Sequence, residues 1–328
     1  MIRPFNLRDM ALIHRLGERG TILQTQAALT SIPHPVRRAL AHLLVGGRYI
    51  TYVWKSDHGN AAAFAQLFWR EGDASAYLIG LGVTPPRNES DPVDASQQDN
   101  WLKLFDELIK EAGKLGVHNL VAEANEDGPE LDILRKSGFV VYTRQDIWIA
   151  DRTIEDERSV TLQTSRSIDE WDINILYSNS IPGLLHSIEP QPPLSFGQNW
   201  ILREKNGELA AYVHMNTGTI ASWMQLFIHP NAETKPREIV KAALDIILPT
   251  PELPIYCCVR RYQSWLLAAL EKAGFHPWGS QAVLVKQIVQ PVKHRTPALQ
   301  DVLQTQTVSG SSPVIQGFSP PNGRNGIY

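Results

Sequence analysis

The chain has 328 residues, of which 43% are hydrophobic and 20% are charged, and its formal net charge is −3. This is the composition of a globular protein with room for about two domains. The small negative charge disfavours binding to nucleic acid or to an anionic membrane. No apolar run reaches the roughly 20 residues of a membrane helix, and the charged N-terminus does not resemble a signal peptide. We therefore expect a cytoplasmic protein.

The chain has two cysteines, Cys257 and Cys258, which are neighbours in the sequence. Neighbouring residues of a strand point to opposite faces, so a disulfide between them is not expected. No spacing of cysteine and histidine indicates a metal site.

The predicted elements of the first half begin with a strand and a helix in IRPFNLRDMALIHRL. A hairpin turning at 57–60 precedes the apolar strand AYLIGLGVTP at 76–85, and a helix follows at 100–116. A strand in LVAEAN then leads into a helix that ends at Gly138, a residue type suited to the left-handed C-cap. Alternating apolar residues after Phe139 predict a two-strand hairpin.

The second half repeats this order. A strand and a helix in VTLQTSRSIDEWDINILY precede a hairpin at Asn206-Gly207, the strand SWMQLFIHP at 222–230 and a helix at 237–248. The pattern L-x-x-L-x-K-x-G-F occurs once in each half without a gap. In the first half it comprises Leu131, Leu134, Lys136, Gly138 and Phe139, which match Leu267, Leu270, Lys272, Gly274 and Phe275 in the second.

We interpret the chain as one fold present twice, with chance similarity of two helix–Gly–strand units as the alternative. The predicted domains are residues 1–150 and 158–289. The tail at 290–328 is rich in Pro, Gly, Ser and Gln, which predicts disorder. We expect the two domains to pack against each other because each has an open sheet edge.

This order of elements, with K-x-G-F near the end and I-R-P near the start, resembles the GNAT (GCN5-related N-acetyltransferase) superfamily. The resemblance covers about residues 1–150 and 158–289. It implies two tandem α/β (α+β) domains, each a mixed, mostly antiparallel sheet flanked by helices. It also implies transfer of an acetyl or other acyl group from acyl-CoA to an amine. In the family the thioester lies where the fourth strand diverges from the fifth, and a loop Q/R-x-x-G-x-G/A binds the pyrophosphate at a helix N-terminus.

Both halves depart from the family's phosphate loop. The first has PPRNESDPVDASQQDN at 85–100, without glycine and with carboxylates that would repel a pyrophosphate. The second has HPNAETKPREIV at 229–240, which also lacks the glycines but places Lys235 and Arg237 beside a helix start. If acetyl-CoA or another acyl-CoA binds, we expect it in the second half. The predicted cofactor contacts are Gln225, Leu226, Phe227, Ile228, Lys235 and Arg237, although the two cations could instead be solvated surface charges.

The position of the family's frequent catalytic tyrosine is leucine in both halves. The remaining candidates for proton transfer could each be ordinary structural residues instead. They are Glu123 in VAEAN, His214 in AAYVHM, His229 at the end of the strand 222–230, and Tyr262. Arg260, Arg261 and Tyr262 form a basic and aromatic cluster that could bind an acidic substrate or the CoA 3′-phosphate, or be a solvated loop.

Three functions remain open at this stage. The leading hypothesis is an N-acyltransferase acting on an amine of unknown identity, either a small molecule or a protein. The alternative is an inactive tandem GNAT fold that serves as a binding or regulatory module. A third possibility is transfer from another donor, such as an aminoacyl-tRNA or an acyl carrier protein, and the absence of a basic patch counts against tRNA.

Overall fold

The computed structural model describes residues 2–32, 34–45, 48–56, 62–84, 95–150, 160–189, 191–192, 194–247 and 253–288. The predicted hairpin turn at 57–60, most of the first phosphate loop, the junction at 151–159 and the tail from 290 onwards lie outside the described residues. Residues 1–289 group into one compact unit.

The first half follows the predicted order up to its last helix, with one short strand and one helix more than expected before the hairpin. Its elements are β1 (Ile2–Pro4), α1 (Met10–Gly17), β2 (Thr21–Ile22), α2 (Thr25–Thr30), α3 (Pro35–Val45), β3 (Tyr49–Lys55), β4 (Ala62–Phe68), β5 (Ser75–Val83), α4 (Ala95–Lys114), β6 (Asn119–Asn125), α5 (Pro129–Lys136) and β7 (Val140–Ala150).

The second half repeats the order, but a single 3₁₀ turn at Gly183–Leu185 stands in place of β2, α2 and α3. Its elements are β8 (Gln163–Thr164), α6 (Glu170–Ser180), β9 (Gln198–Arg203), β10 (Leu209–Thr217), β11 (Ser222–Ile228), α7 (Pro236–Ile247), β12 (Ile255–Arg260), α8 (Leu267–Lys272) and β13 (Phe275–Gln287). A further 3₁₀ stretch covers Arg261–Leu266.

One sheet runs through both halves of the described chain. Its strand order is β1-β3-β4-β5-β6-β13-β7-β12-β11-β10-β9-β8, with β2 paired to β5 off this path. The pairs β5–β6 and β11–β12 are parallel, and the other described pairs are antiparallel. The expectation that the two halves pack through their sheet edges is therefore confirmed. No described helix combines the length and hydropathy that crossing a membrane requires.

The two halves exchange their last strands. Strand β13, from the second half, pairs with β6 of the first, while β7 of the first half pairs with β12 of the second. The prediction of a two-strand hairpin after each Gly-Phe is wrong, because each segment is one long strand. The antiparallel neighbour that a local hairpin would supply comes instead from the other half, since β7 and β13 pair with each other.

The repeated Gly-Phe motif has the same structure in both halves. Gly138 and Gly274 have φ of 81° and 86°, the left-handed conformation expected after the helices α5 and α8. Leu134 and Leu270, at the position of the family's tyrosine, are buried in the two main apolar clusters. These leucines therefore stabilise the core and take no part in a site.

Candidate functional site

The parallel strands β5 and β6 of the first half separate after three paired positions, Ser75–Tyr77 against Asn119–Val121. The segment around β2 fills the gap beyond this point. Thr21 pairs with Leu81, and the N–H of Leu23 donates to the carbonyl oxygen of Ile79 at 2.9 Å. The Leu23 carbonyl accepts the N–H of Glu123 at 2.8 Å. The chain's own backbone therefore closes the first gap.

The parallel strands β11 and β12 of the second half also separate, after Gln225 and Cys258. The N–H of His229 donates to the carbonyl oxygen of Ala210, so the backbone N–H and C=O groups at this position face β10. Along a strand these groups point alternately to the two sides, so those of the residues one and three positions earlier face away from β10. The N–H and C=O groups of Leu226 and Ile228 thus face the gap. Of the described strands, only β10 and β12 pair with β11. The second gap is not crossed by a strand in the part of the chain that is described.

A cavity of about 530 Å³ lies between the two halves and reaches the gap beside β11. Three of the four predicted catalytic residues line it, namely Glu123, His214 and Tyr262, as do Gln225, Leu226 and Phe227 of the predicted cofactor strand. The structure therefore brings together residues that are far apart in the sequence. This volume is typical of small-molecule sites.

Four predicted residues do not line this cavity: His229, Ile228, Lys235 and Arg237. His229 lies beyond the end of β11, where its Nδ1 accepts the backbone N–H of Asn231 at 3.2 Å. Lys235 and Arg237 are exposed at the start of α7. These two cations are placed near the predicted donor strand but away from the cavity.

The start of α7 contains a carboxylate where the family binds a phosphate. Glu204 accepts the backbone N–H of Thr234 at 3.0 Å and lies 3.4 Å from its hydroxyl oxygen. The electropositive N-terminus of a helix favours an anion, and Glu204 supplies one from the protein itself. A phosphate at this end would have to use side chains or displace Glu204.

His214 is a neutral, oriented imidazole at neutral pH. Its Nδ1 lies 2.8 Å from Asn199 Oδ1, and the Asn199 amide nitrogen donates to Leu194 at 3.0 Å, which fixes the amide orientation. Nδ1 therefore carries the proton and Nε2 is free to accept. Burial lowers the pKa of His214 to about 4. Gly197, with φ of 73°, leaves room for this ring, since a Cβ there would lie 2.8 Å from Cε1 of His214.

A buried ion pair lies beside Tyr262. Arg260 Nε is 2.9 Å from Glu189 Oε1, and the Tyr262 hydroxyl donates to Glu189 Oε2 at 3.2 Å. Burial opposes the charge of Arg260, but the surrounding groups, led by Glu189, together raise the pKa of the guanidinium. Arg260 also donates to Gln145 in the centre of the sheet. Arg260 is thus a packed, paired residue, whereas Arg261 is exposed and pairs with Glu126.

The loop that bears Glu189 is anchored on the first half. The hydroxyl of Tyr77 donates to the carbonyl oxygen of Ile188 at 2.8 Å, and Ser75 Oγ donates to that of Ser187 at 2.7 Å. Both halves therefore determine the position of Glu189 in the cavity.

Tyr177 of helix α6 was not predicted as a site residue. It is 7% exposed, lines the cavity, and its buried hydroxyl has no hydrogen-bond partner among the described residues. Burial, followed by the charge of Glu189, raises its pKa, so the phenol stays protonated. In the sequence it reads as one more apolar position of a helix, and only the fold reveals the cavity beside it.

Neither cysteine forms a disulfide, as the sequence indicated. Cys258 lines the cavity, and burial raises the pKa of its thiol to about 12. No group of His, Cys, Asp and Glu side chains within the described ranges is arranged to hold a metal ion.

No family model matches the chain, and no curated protein matches it. Solved structures do match. A GCN5-related N-acetyltransferase from Sphaerobacter thermophilus is 13% identical with a TM-score of 0.54, over 89% of this chain and 96% of that one. A tandem GNAT protein from the clavulanic acid biosynthesis pathway is 14% identical with a TM-score of 0.54, over 89% of this chain and 99% of that one. This chain has a tandem GNAT fold.

At these identities the similarity concerns the fold, and it confirms the predicted fold class. In tandem GNAT terms, β5–β6 and β11–β12 are the two diverging strand pairs. The first GNAT unit has its gap closed by Leu23, and the second has its gap beside the cavity.

Proposed function

We propose that the protein is an N-acyltransferase that moves an acetyl or other acyl group from acyl-CoA to an amine held in the cavity between the halves. The observation that carries this proposal is the position of the cavity. It reaches the divergence of β11 and β12, with Gln225, Leu226 and Phe227 on its wall. The tandem GNAT fold, which N-acetyltransferases use, supports the same reaction class.

The donor would be held in the second half. Acyl-CoA supplies an acyl group activated as a thioester. The backbone groups of Leu226 and Ile228 face the gap and suit the amides of an extended pantetheine arm, as in a sheet. The glycine-free loop and Glu204 leave phosphate contacts to the side chains of Lys235 and Arg237.

Several cavity residues can assist the transfer. The carboxylates of Glu123 and Glu189 can bind an ammonium group and accept its proton through water. Because its pKa is about 4, His214 is better able to accept a hydrogen bond than to act as a base at pH 7. The hydroxyl of Tyr177, which no described residue hydrogen-bonds, can donate a proton to the leaving sulfur. Tyr262 is a second hydroxyl in the cavity, already bonded to Glu189.

A second candidate function is a non-catalytic binding module. Two contacts favour it. Leu23 closes the first gap, and Glu204 accepts the backbone N–H of Thr234 at the N-terminus of α7. On this reading the cavity binds a ligand but no acyl donor.

Calorimetric titration with acetyl-CoA separates the two. We expect binding by the wild type that weakens roughly tenfold in a Lys235→Ala/Arg237→Ala double variant. A matched control, Arg15→Ala/Lys272→Ala, removes two exposed cations elsewhere and should bind as the wild type does. If neither the wild type nor the variants bind acetyl-CoA, the acyltransferase proposal is contradicted and the binding module is favoured. Release of free thiol in the presence of amines then tests the transfer itself.

A further inference from the structure

The wall of the cavity formed by the first half carries three arginines. Arg38 lies on α3, Arg48 precedes β3, and Arg70 follows β4, and all three line the cavity. The ends of β3 and β4 meet here, since the N–H of Trp69 donates to the carbonyl of Arg48 at 2.9 Å. The fold thus collects three guanidinium groups that the sequence spreads over 33 positions, from 38 to 70, counting both ends.

Two aromatic rings hold two of these arginines in place. The rings of Tyr49 and Phe68 lie 5.3 Å apart, paired across β3 and β4. The guanidinium carbon of Arg38 is 5.4 Å from the centre of the Tyr49 ring, and that of Arg70 is 5.6 Å from the centre of the Phe68 ring. Such contacts restrict the side chains without using their N–H donors.

The described residues use little of the hydrogen-bonding capacity of these groups. Arg38 makes one long contact, 3.5 Å to Ser31 Oγ. Arg70 Nε is buried without a hydrogen-bond partner among the described residues. Each guanidinium has five donors in a planar fork that matches a carboxylate or a phosphate.

The carboxylates of the cavity do not neutralise this cluster. Glu189 is paired with Arg260, and Glu123 accepts the backbone N–H of Thr25 at 2.7 Å. Asp73, the remaining carboxylate on the wall, is exposed, and no ion pair joins it to a described residue. Burial lowers the pKa of Arg38, because its guanidinium is partly removed from water. An anionic ligand would supply the compensation that a partly buried cation requires.

We propose that Arg38, Arg48 and Arg70 bind an anionic group, a carboxylate or a phosphate, of the acceptor. The acceptor class is then an amine with an acidic group, such as an amino acid or an amine phosphate, whose amine extends towards β11. The role of this amine as acceptor rests on the proposed acyltransferase function, whereas the anion site formed by the arginines does not. The 3′-phosphate of CoA is another anion that three arginines can bind. The competition experiment below distinguishes it from the acidic group of the acceptor.

The anion site is tested with inorganic phosphate, titrated by ³¹P NMR at constant ionic strength. We expect binding that weakens roughly tenfold in Arg38→Met/Arg70→Met, which keeps the apolar stems but removes the donors. The control Arg37→Met changes the exposed neighbour of Arg38 on the same helix and should leave binding unchanged. Arg48→Gln, at an exposed position, should also weaken binding without affecting the fold. Equal phosphate binding by all of these proteins would overturn the proposal.

Competition with bound phosphate identifies the source of the anion. An amino acid such as tyrosine should displace phosphate, while its decarboxylated counterpart tyramine should not. CoA and dephospho-CoA should be equally ineffective. Displacement by CoA but not by dephospho-CoA would overturn the acceptor assignment. If the wild-type protein binds phosphate but transfers no acyl group, the proposed function is contradicted and the anion site is not.

Discussion

The backbone N–H of Leu23 donates a hydrogen bond to the carbonyl oxygen of Ile79 at 2.9 Å. The carbonyl of the same residue accepts the N–H of Glu123 at 2.8 Å, so one residue bridges both rims of the first-half gap. These are the backbone groups that an extended ligand would need. The closed gap explains why, among the described residues, only the divergence of β11 and β12 is left uncrossed by a strand beside the cavity.

Truncating the buried side chain of Leu23 tests how much the segment that fills the first gap contributes to stability. Leu23 is 2% exposed, so Leu23→Ala should lower the free energy of unfolding by about 2 to 5 kcal/mol through the void it leaves. Urea denaturation measures this loss. The control Leu44→Ala changes a leucine that is 77% exposed and should cost less than about 0.5 kcal/mol. Acetyl-CoA affinity should stay unchanged in both variants. A large change in Leu23→Ala would instead indicate a donor site in the first half.

The pKa of His214 predicts a pH dependence of stability. Burial lowers it from 6.5 to about 4, so the unfolded chain binds a proton between these values that the folded protein does not. Stability should therefore fall as pH drops from 6.5 to 4, by up to about 3 kcal/mol from this residue. Urea midpoints measured across this range check the slope.

His214→Gln should flatten the profile in the same window, because it removes the titrating group. His229→Gln, which changes the partly exposed histidine after β11, should retain the wild-type slope. A slope that survives in His214→Gln would show that other groups cause it.

Asp9 accepts the N–H of Asn6 at 3.1 Å and pairs with Arg3 at the start of the first half, and Asp169 has the corresponding place in the second. Asp169 accepts the N–H of Arg166 at 2.9 Å and lies 2.8 Å from Arg203, whose hydrogen bond lowers the pKa of the carboxyl. Asp169→Asn should destabilise the protein by about 2 to 3 kcal/mol, because a buried acceptor loses its charge. The control Asp172→Asn alters the partly exposed second partner of Arg203 and should cost less than about 1 kcal/mol. Thermal and urea unfolding compare the two, and equal losses would contradict this account.

Tyr177→Phe removes a hydroxyl that has no hydrogen-bond partner among the described residues, so stability should change by less than about 0.5 kcal/mol. If Tyr177 protonates the leaving sulfur, the rate of thiol release at saturating substrates should fall roughly a hundredfold. Tyr142→Phe, which lies outside the cavity lining, is the matched control. A fall in Tyr262→Phe with none in Tyr177→Phe would assign the proton to Tyr262.

Much of the fold could be predicted because the two halves share local signals. The glycines after α5 and α8, the Asn206-Gly207 turn and the apolar strands around 76–85 and 222–230 all act through neighbouring residues. The exchange of β7 and β13 could not be predicted this way. An alternating strand has the same pattern whether its partner is local or distant.

The site was partly predictable. Glu123, His214 and Tyr262 were identified as residue types able to move protons, and the fold places them around one cavity. The arginines at 38, 48 and 70 and Tyr177 gave no signal, because their proximity depends on how the first half faces the second. Leu23 was likewise indistinguishable from a core leucine, since its role lies in its backbone.

The exchanged strands have a consequence for biosynthesis. Strand β6 emerges from the ribosome well before β13, the strand that lies beside it in the finished sheet. Until then the first half has an open edge next to its parallel pair, a surface prone to mispairing. The nascent chain therefore cannot complete its first unit before the second is almost fully synthesised. Dividing the gene between the two copies would deprive each half of the strand that the other half supplies to its sheet.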